Sequence, residues 1–534
     1  MKIATIGGVI ILSTFATSVM SYISMATPIG PWIAPTVVLI AMLFYKLTQS
    51  ANQSESIAFI TIASSIGGIL ATACGFSYPT LYFLDPDLFQ SWLSEPFYFC
   101  AVLSSLALVA GAFGLLIAHL FEHRLIVEEQ LAFPIGQLVY KMIAAGDQIK
   151  KAYELMAGFV LTAFFCLLQD GIMQLNGFIP KAITLVPALT WRMVSLPFIR
   201  FDLWPMLWAI GFVTGHVIAV PLAVGALAKL FLVDPAHVLW FGHLSAIEFS
   251  MAFCSGIVLY GLLMSFIMVP RMLLDGAKWL QKNGLYAVGS SKGYATDSSL
   301  IAAAGFVFAG GGLFLHYFSF SFASIAFLFI GSFACVYQIM VIAGKIGLAP
   351  LGRFATFVMI PAMLLFGLDT AQTVFVATFV EICGGVAADV LFGRKIAQLM
   401  QLDRKKVVGY QIFGLVMSSI VVGIVFFYLT SHFSLGSAQL SATKAQSRAL
   451  QIAVQQFDYW GLLAGALFSI LLKFLKVNPM LVLGGILMPI NISLGLIFGG
   501  LLTQFVKNRE EWEPFWSGIF ASNSIWMLLR AILS

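Results

Sequence analysis

Charge is scarce in this chain. Of 534 residues only 10% are Asp, Glu, Lys or Arg, where a soluble globular protein carries about 25%. A soluble surface cannot be assembled from so little, because exposed apolar area aggregates and buried charge is costly. Long polar stretches are missing too, which excludes a large extramembrane enzyme module. The cysteines Cys74, Cys100, Cys166, Cys254, Cys335 and Cys383 lie singly in apolar runs with no CxxC spacing. They read as small buried hydrophobes rather than disulfides or cluster ligands. There is no GxxxxGK[ST] phosphate loop, no GxSxG elbow and no GxGxxG after a strand. Nucleotide-driven transport is thereby excluded, and no cofactor is expected.

What the chain has instead is apolar sequence, at 60% of residues. A bilayer core about 30 Å thick takes about 20 apolar residues per helix. Such runs fall at 4–25, 31–47, 57–76, 97–121, 152–175, 204–232 and 246–270. They continue at 299–319, 321–344, 350–368, 372–392, 407–431, 457–473, 480–503 and 514–533. The first is expected to be a transmembrane helix and not a cleaved signal peptide, since further spans follow directly.

Basic residues cluster in the loops Arg124–Lys151, Arg271–Lys292 and Arg394–Lys406. The positive-inside rule places all three in the cytoplasm. The net charge of +5 is therefore a topology signal, and no nucleic-acid partner is expected. Keeping the first two loops on one side requires another crossing or a re-entrant segment between them. Ile179 to Ile199, interrupted by Pro180, Pro187 and Pro197, is the place for it. The expected fold is an all-α polytopic membrane protein with about 16 transmembrane segments (about 14–16).

An internal repeat divides it. Aligned without gaps, Pro205–Leu227 (PMLWAIGFVTGHVIAVPLAVGAL) matches Pro479–Leu501 (PMLVLGGILMPINISLGLIFGGL) at eight of 23 positions. DQIKKAYELMAG from Asp147 also echoes DRKKVVGYQIFG from Asp403. The expected plan is two pseudo-symmetric halves, 1–270 and 299–534, joined by a cytoplasmic loop at 271–298. Repeated halves around a central interface are a common plan of secondary transporters.

An ionisable group inside the bilayer is expensive by at least about 2.5–3.5 kcal/mol, so each one is a site candidate. Glu381 and Asp389 stand eight residues apart on one helical face, and Glu381 is the leading candidate for proton coupling. Asp170 and Gln169 suggest a polar lining, and His216 with Asn491 lies in the repeated segments, where the two could face each other across a substrate site. Tyr260 and Trp208 offer aromatic faces. Asp369 and Glu248 read as helix caps, and His316 as interfacial. His119 and His123 spell HxxEH with Glu122, a metallopeptidase spacing. The motif ends a span just before Arg124, so it reads as interfacial and only weakly as a metal site.

Three further stretches carry a resemblance. EEQLAFPIGQLVYKMI (Glu128–Ile143), VAADVLFGRKIAQ (Val386–Gln398) and SGIFASNSIWMLL (Ser517–Leu529) occur in that order. They are similar to conserved motifs of the oligopeptide transporter family, including its yellow-stripe-like branch. The matching residues are Leu131, Phe133, Pro134 and Gly136, then Ala387, Asp389 and Lys395, then Ser517, Gly518, Ile525, Trp526 and Leu528. The chain departs from the pattern at Gly393, Asn523 and Leu529. The resemblance implies a proton-coupled importer of small peptides or peptide-like metal chelates, such as iron-chelator complexes. It also implies structural or gating roles for Pro134, Gly136, Asp389, Lys395 and Trp526, with Asp389 holding a gate through Arg394 or Lys395. The expected partners are that substrate, protons and the lipid bilayer, in a multi-pass protein of a bacterial inner membrane. Two alternatives stay open at this point: a membrane-embedded enzyme built on HxxEH or acting on lipid-linked substrates, and a passive channel.

Overall fold

In lipid a backbone must satisfy its own N–H and C=O groups, and apolar runs of this length do so as helices. The computed structural model describes residues 3–533 apart from 261–296 and short stretches. Those stretches are 27–29, 31, 49–52, 147–148, 172–176, 187–188, 192–193, 197–198, 247, 251, 258, 437–439, 441, 454–457, 476, 478, 488–489 and 507–508. The first helices are α1 (Ile3–Ala26), α2 (Ala34–Thr48), α3 (Gln53–Ser77), α4 (Thr80–Leu84), α5 (Pro86–Leu93) and α6 (Pro96–Glu122). Next come α7 (Pro134–Gly146), α8 (Ile149–Asp170), α9 (Pro205–Thr214), α10 (His216–Ala228) and α11 (Asp234–Trp240). Beyond the connecting segment lie α12 (Asp297–Tyr317), α13 (Phe322–Ile346), α14 (Leu351–Phe366), α15 (Thr370–Leu399) and α16 (Arg404–His432). The chain ends with α17 (Thr443–Ala453), α18 (Tyr459–Phe474), α19 (Pro479–Leu487), α20 (Ile490–Leu502) and α21 (Arg509–Leu533). Among the described residues, eight helices are long and apolar enough to cross a membrane, and four shorter apolar helices accompany them. The chain is an all-α polytopic membrane protein.

Two helices form the centre. The apolar windows of α3 and α15 are buried throughout, with α15 packed on α3, α6, α7, α13 and α14, and α3 packed also on α1, α2 and α16. Because protein covers both helices on every side, they can carry polar groups that a lipid-facing helix cannot. Ser64, Ser65, Thr72 and Ser77 on α3, and Thr378, Glu381 and Asp389 on α15, are all buried. Outer helices show the opposite pattern. On α12, Phe306 and Leu313 are 81% and 72% exposed, as lipid-facing residues are. A second group of helices pairs α8 with α21, α9 with α20 and α21, and α10 with α19 and α20, and α7 touches both groups. The first apolar run forms α1, which is long and apolar enough to cross a membrane and packs along α3.

Two expectations are corrected. Ile179–Ile199 is no helical crossing. It forms the strands β1 (Ala182–Val186), β2 (Leu189–Trp191), β3 (Val194–Leu196) and β4 (Ile199–Asp202), with β1 antiparallel to β4 and β2 to β3. Prolines at 180, 187 and 197 deny a helix its amide donors, while Ile, Thr, Val and Trp suit a pleated ribbon. β4 lies against α20, so protein covers the hairpin. The runs 204–232 and 480–503 are also not single helices, since the first is divided at Gly215 between α9 and α10, and the second holds the two elements α19 and α20. The expected linker 271–298 lies, up to residue 296, outside the described residues.

Candidate functional site

A carboxylate at 0% exposure in the middle of a hydrophobic bundle must be neutralised and hydrogen-bonded. Glu381 is such a group. It lies eleven residues into α15, about 17 Å from the helix start at 1.5 Å per residue, near mid-depth of a bilayer core. Ser77 Oγ, at the end of α3, donates to its Oε2 at 2.5 Å. The Arg448 guanidinium of α17 pairs with its Oε1 through Nη2, and the same Nη2 donates to Gly352 O at 3.1 Å. A side chain at position 352 would meet Arg448 Nη2 at 3.1 Å and Glu381 Oε1 at 3.3 Å, so glycine keeps the three groups together.

α17 reaches this depth because it is a short amphipathic helix anchored at its start. Ala442 N donates to Met25 O at 2.7 Å, and Thr80 Oγ1 donates to Ala445 O at 3.3 Å. Ala445, Ala449 and Ile452 form its buried face, and Arg448 is only 5% exposed among them. Lys444 sits one turn earlier and is exposed, with Nζ 5.9 Å from the Phe76 ring centroid. Arg353 of α14 is half-buried and lies within electrostatic reach of Lys444, which in turn is within reach of Glu381 and Arg448. Two cations, Arg448 and Lys444, thus act on one carboxylate. Among the described residues, Arg448 Nε and Nη1 are buried with no hydrogen-bond partner.

Asp389 lies two turns further along α15 and accepts from Ser65 Oγ at 2.7 Å. The two acids thus meet α3 at two serines, which is the shared face read from their spacing. The expected pairing of Asp389 with Arg394 or Lys395 does not form. Five and six residues on, at 100° per residue, those side chains leave the α3 face. Arg394, at 2% exposure, instead engages Glu122 through Nη1, His119 Nδ1 at 3.0 Å and Gln411 Oε1 at 3.2 Å. Arg404 Nη2 donates to the same Glu122 carboxylate at 2.6 Å, and Lys395 Nζ donates to Gln398 at 3.1 Å. The HxxEH residues therefore anchor an ion-pair cluster joining α6, α15 and α16. His123 is exposed and 3.7 Å from Glu128. Among the described residues no group of His, Cys, Asp and Glu is arranged to hold a metal.

The motif segments pack against one another. Phe133 N donates to Gly344 O at 2.7 Å, and Pro134 begins α7. A Cβ at Gly136 would lie 2.7 Å from Phe392 O and 3.2 Å from Lys395 Cβ, so the first motif rests directly on the second. The third lies on α21. There Trp526 Nε1 donates to Asp170 Oδ2 at 2.8 Å, Asn523 Oδ1 accepts from Met206 N at 3.1 Å, and Lys181 Nζ is 2.9 Å from Asp170. Gln169 Nε2 donates to Leu203 O at 3.0 Å. Asp170 and Gln169 thus tie α8 to α21 and to the start of α9, while Glu381 has a separate set of partners.

The repeated segments cross each other. Gly211 of α9 approaches Gly499 of α20, and Gly225 of α10 approaches Gly485 of α19, so closely that a methyl at any of the four would strike the opposing backbone. With the repeat offset of 274, Gly211 corresponds to Gly485 and Gly225 to Gly499. Each segment therefore presents to its counterpart the same two positions with their roles exchanged. Gly215, at φ +72° between α9 and α10, aligns in sequence with Pro489. The side chains of His216 and Asn491 lie outside the described residues, while their backbones begin α10 and α20. Trp208 stacks on Phe201 of β4 with ring centroids 6.0 Å apart, and Lys473 Nζ lies 5.8 Å from the Tyr260 ring centroid. Asp369 caps α15 in a reciprocal capping box with Gln372, and Glu248 pairs likewise with Ser245, both as expected.

Arg448, Lys444, Ser77 and Ser65 escaped the reading of the sequence. TKAQSRALQIA resembles an ordinary polar loop, although Ala445, Arg448, Ala449 and Ile452 recur at helical spacing.

Compared with known proteins, residues 4–522 match a family model described as OPT oligopeptide transporter protein. No curated protein matches the chain significantly.

Proposed function

The chain belongs to the OPT oligopeptide transporter family, whose members are transporters and not enzymes, and from that premise we propose that it is a secondary active importer driven by protons. Small peptides are the substrate class that the family indicates, and peptide-like metal chelates are the variant to set against them. The observation that carries the proposal is the buried Glu381, held at mid-depth by Ser77 and Arg448.

A carboxylate that takes up a proton loses the charge that binds its guanidinium, so protonation of Glu381 loosens Arg448 and the helix α17 that bears it. Loss of the proton restores the pair. That is the elementary requirement of coupling: one buried group whose occupancy by a proton changes the contacts of a neighbouring element. Asp389, on the same face and accepting from the Ser65 hydroxyl, is a second proton-accepting position. The crossed segments α9–α10 and α19–α20 supply interrupted helices at the interface of the two proposed halves, where substrate sites of repeat transporters lie. With the basic loops facing the cytoplasm, the α17 side of the Glu381 cluster faces the opposite compartment, and the bacterial inner membrane is the proposed location.

The enzyme alternative is disfavoured by the chemistry at HxxEH. Glu122 is engaged by two guanidiniums and His119 by one, and their positive charge opposes a metal ion. A passive channel predicts flux without coupling. The test is uptake of a short-peptide pool, with and without ferric chelates, into proteoliposomes under an imposed inward proton gradient. Gradient-dependent accumulation is expected, and Glu381→Gln should abolish it in folded protein. Unchanged uphill uptake by that variant would remove Glu381 from the coupling role.

A further inference from the structure

We propose that Arg448, with Lys444 and Arg353 beside it, is the receptor for a carboxylate of the transported molecule. That carboxylate is the C-terminal group of a short peptide or a free carboxylate of a metal chelate. The inference rests on the transport reading above and names the substrate group that this cluster recognises.

Arg448 has donors to spare. A guanidinium carries five N–H groups in a planar array suited to carboxylates. Arg448 spends Nη2 on Glu381 and on Gly352 O, while Nε and Nη1 are buried with no acceptor among the described residues. Charged donors left unmade in a dry interior are costly, and a folded protein retains them where something else completes them. Charge balance points the same way. Arg448 and Lys444 face a single carboxylate among the described residues, Glu381, so an arriving anion moves the cluster toward neutrality.

Access fits as well. Arg448 and Glu381 have almost no accessible surface, yet Lys444 is exposed and Arg353 is half-buried. The outer cations can meet an anion first and the buried guanidinium can hold it. The site also joins recognition to coupling. A substrate carboxylate and Glu381 compete for one guanidinium, so binding of the first favours a protonated second. Import of the anion then carries a proton with it.

The test uses the purified full-length protein and four probes: trialanine, trialanine amide, ferric citrate, and a neutral ferric trihydroxamate without a free carboxylate. Binding is read by calorimetry in detergent and uptake in proteoliposomes. A carboxylate-bearing probe should bind at least tenfold more tightly than its carboxylate-free counterpart, and whichever pair shows this identifies peptide or chelate. Arg448→Gln should erase the difference. Lys444→Gln, at an exposed position outside the Glu381 hydrogen bonds, should weaken binding of the acid severalfold and leave the amide unchanged, which serves where the Arg448 variant does not fold. Equal affinity for acid and amide, discrimination that survives Arg448→Gln, or no binding of either carboxylate probe overturns the inference. If the acid binds through Arg448 yet is not accumulated, the transport reading falls and the receptor stands. If acid and amide accumulate alike, the receptor falls and transport stands.

Discussion

Replacing Glu122 by Gln should destabilise the protein more than any other single change in the ion-pair cluster at the end of α6. The reason is asymmetry. Glu122 serves two guanidiniums, Arg394 at 2% exposure and the partly buried Arg404. Removing one partner of a buried pair strands the other, at a cost of about 3–5 kcal/mol. The glutamine keeps the shape and one acceptor but gives up the charge, so about 3 kcal/mol is expected. Arg394→Met is different. It leaves Glu122 with Arg404 at 2.6 Å and inserts an apolar chain of similar length into a dry position, so it should cost about 1–2 kcal/mol. The double variant contains no stranded charge at Arg394 and should be more stable than the sum of the singles by at least about 1.5 kcal/mol. Equilibrium denaturation in mixed micelles, followed by tryptophan fluorescence, gives the four free energies of the cycle. Strict additivity, or an Arg394→Met cost above that of Glu122→Gln, would refute the account of Glu122 as the shared anchor.

Three further outcomes follow from the packing. Gly499→Val places a branched side chain against the Trp208 carbonyl and should sharply lower the yield of folded protein in detergent, whereas Gly409→Ala, which has open space at Cβ, should be neutral or stabilising by up to about 1 kcal/mol. Trp526→Phe removes the donor to Asp170 Oδ2 while keeping the ring, and should cost about 1.5–3 kcal/mol in the same denaturation assay with helix content unchanged. Asp369→Ala abolishes the capping box of α15 and should cost about 1 kcal/mol, with amide exchange rising first in the turn after Thr370.

Hydropathy made most of the bundle legible, because a residue run that lipid tolerates is helical for want of any other way to satisfy its backbone. It failed where apolar composition and backbone preference diverge. Ile179–Ile199 is apolar enough for a helix, but its prolines and β-branched residues produce a hairpin that protein covers. Glu381 and Asp389 stood out because a carboxylate in an apolar run contradicts its surroundings. Arg448 did not, because a basic residue in a polar stretch contradicts nothing. Its importance comes from the chain folding back to mid-depth, a tertiary event that its neighbours in sequence do not record. The glycine crossing was half visible. The repeat could be aligned, but which position meets which is fixed only by the exchanged contact.

That exchanged contact has the geometry of a subunit interface with two-fold symmetry, formed within one chain. In a dimer of identical subunits every substitution at such a surface appears twice, so no position can be changed on one side alone. Fusion lifts that restriction while leaving the close glycine approach in place. The glycines at 211, 225, 485 and 499 have stayed alike, and the positions around the break have not. His216 aligns with Ile490, and Gly215 with Pro489. The scaffold is duplicated and the chemistry is single, which allows a titratable group on one arm of the crossing without its like-charged twin on the other.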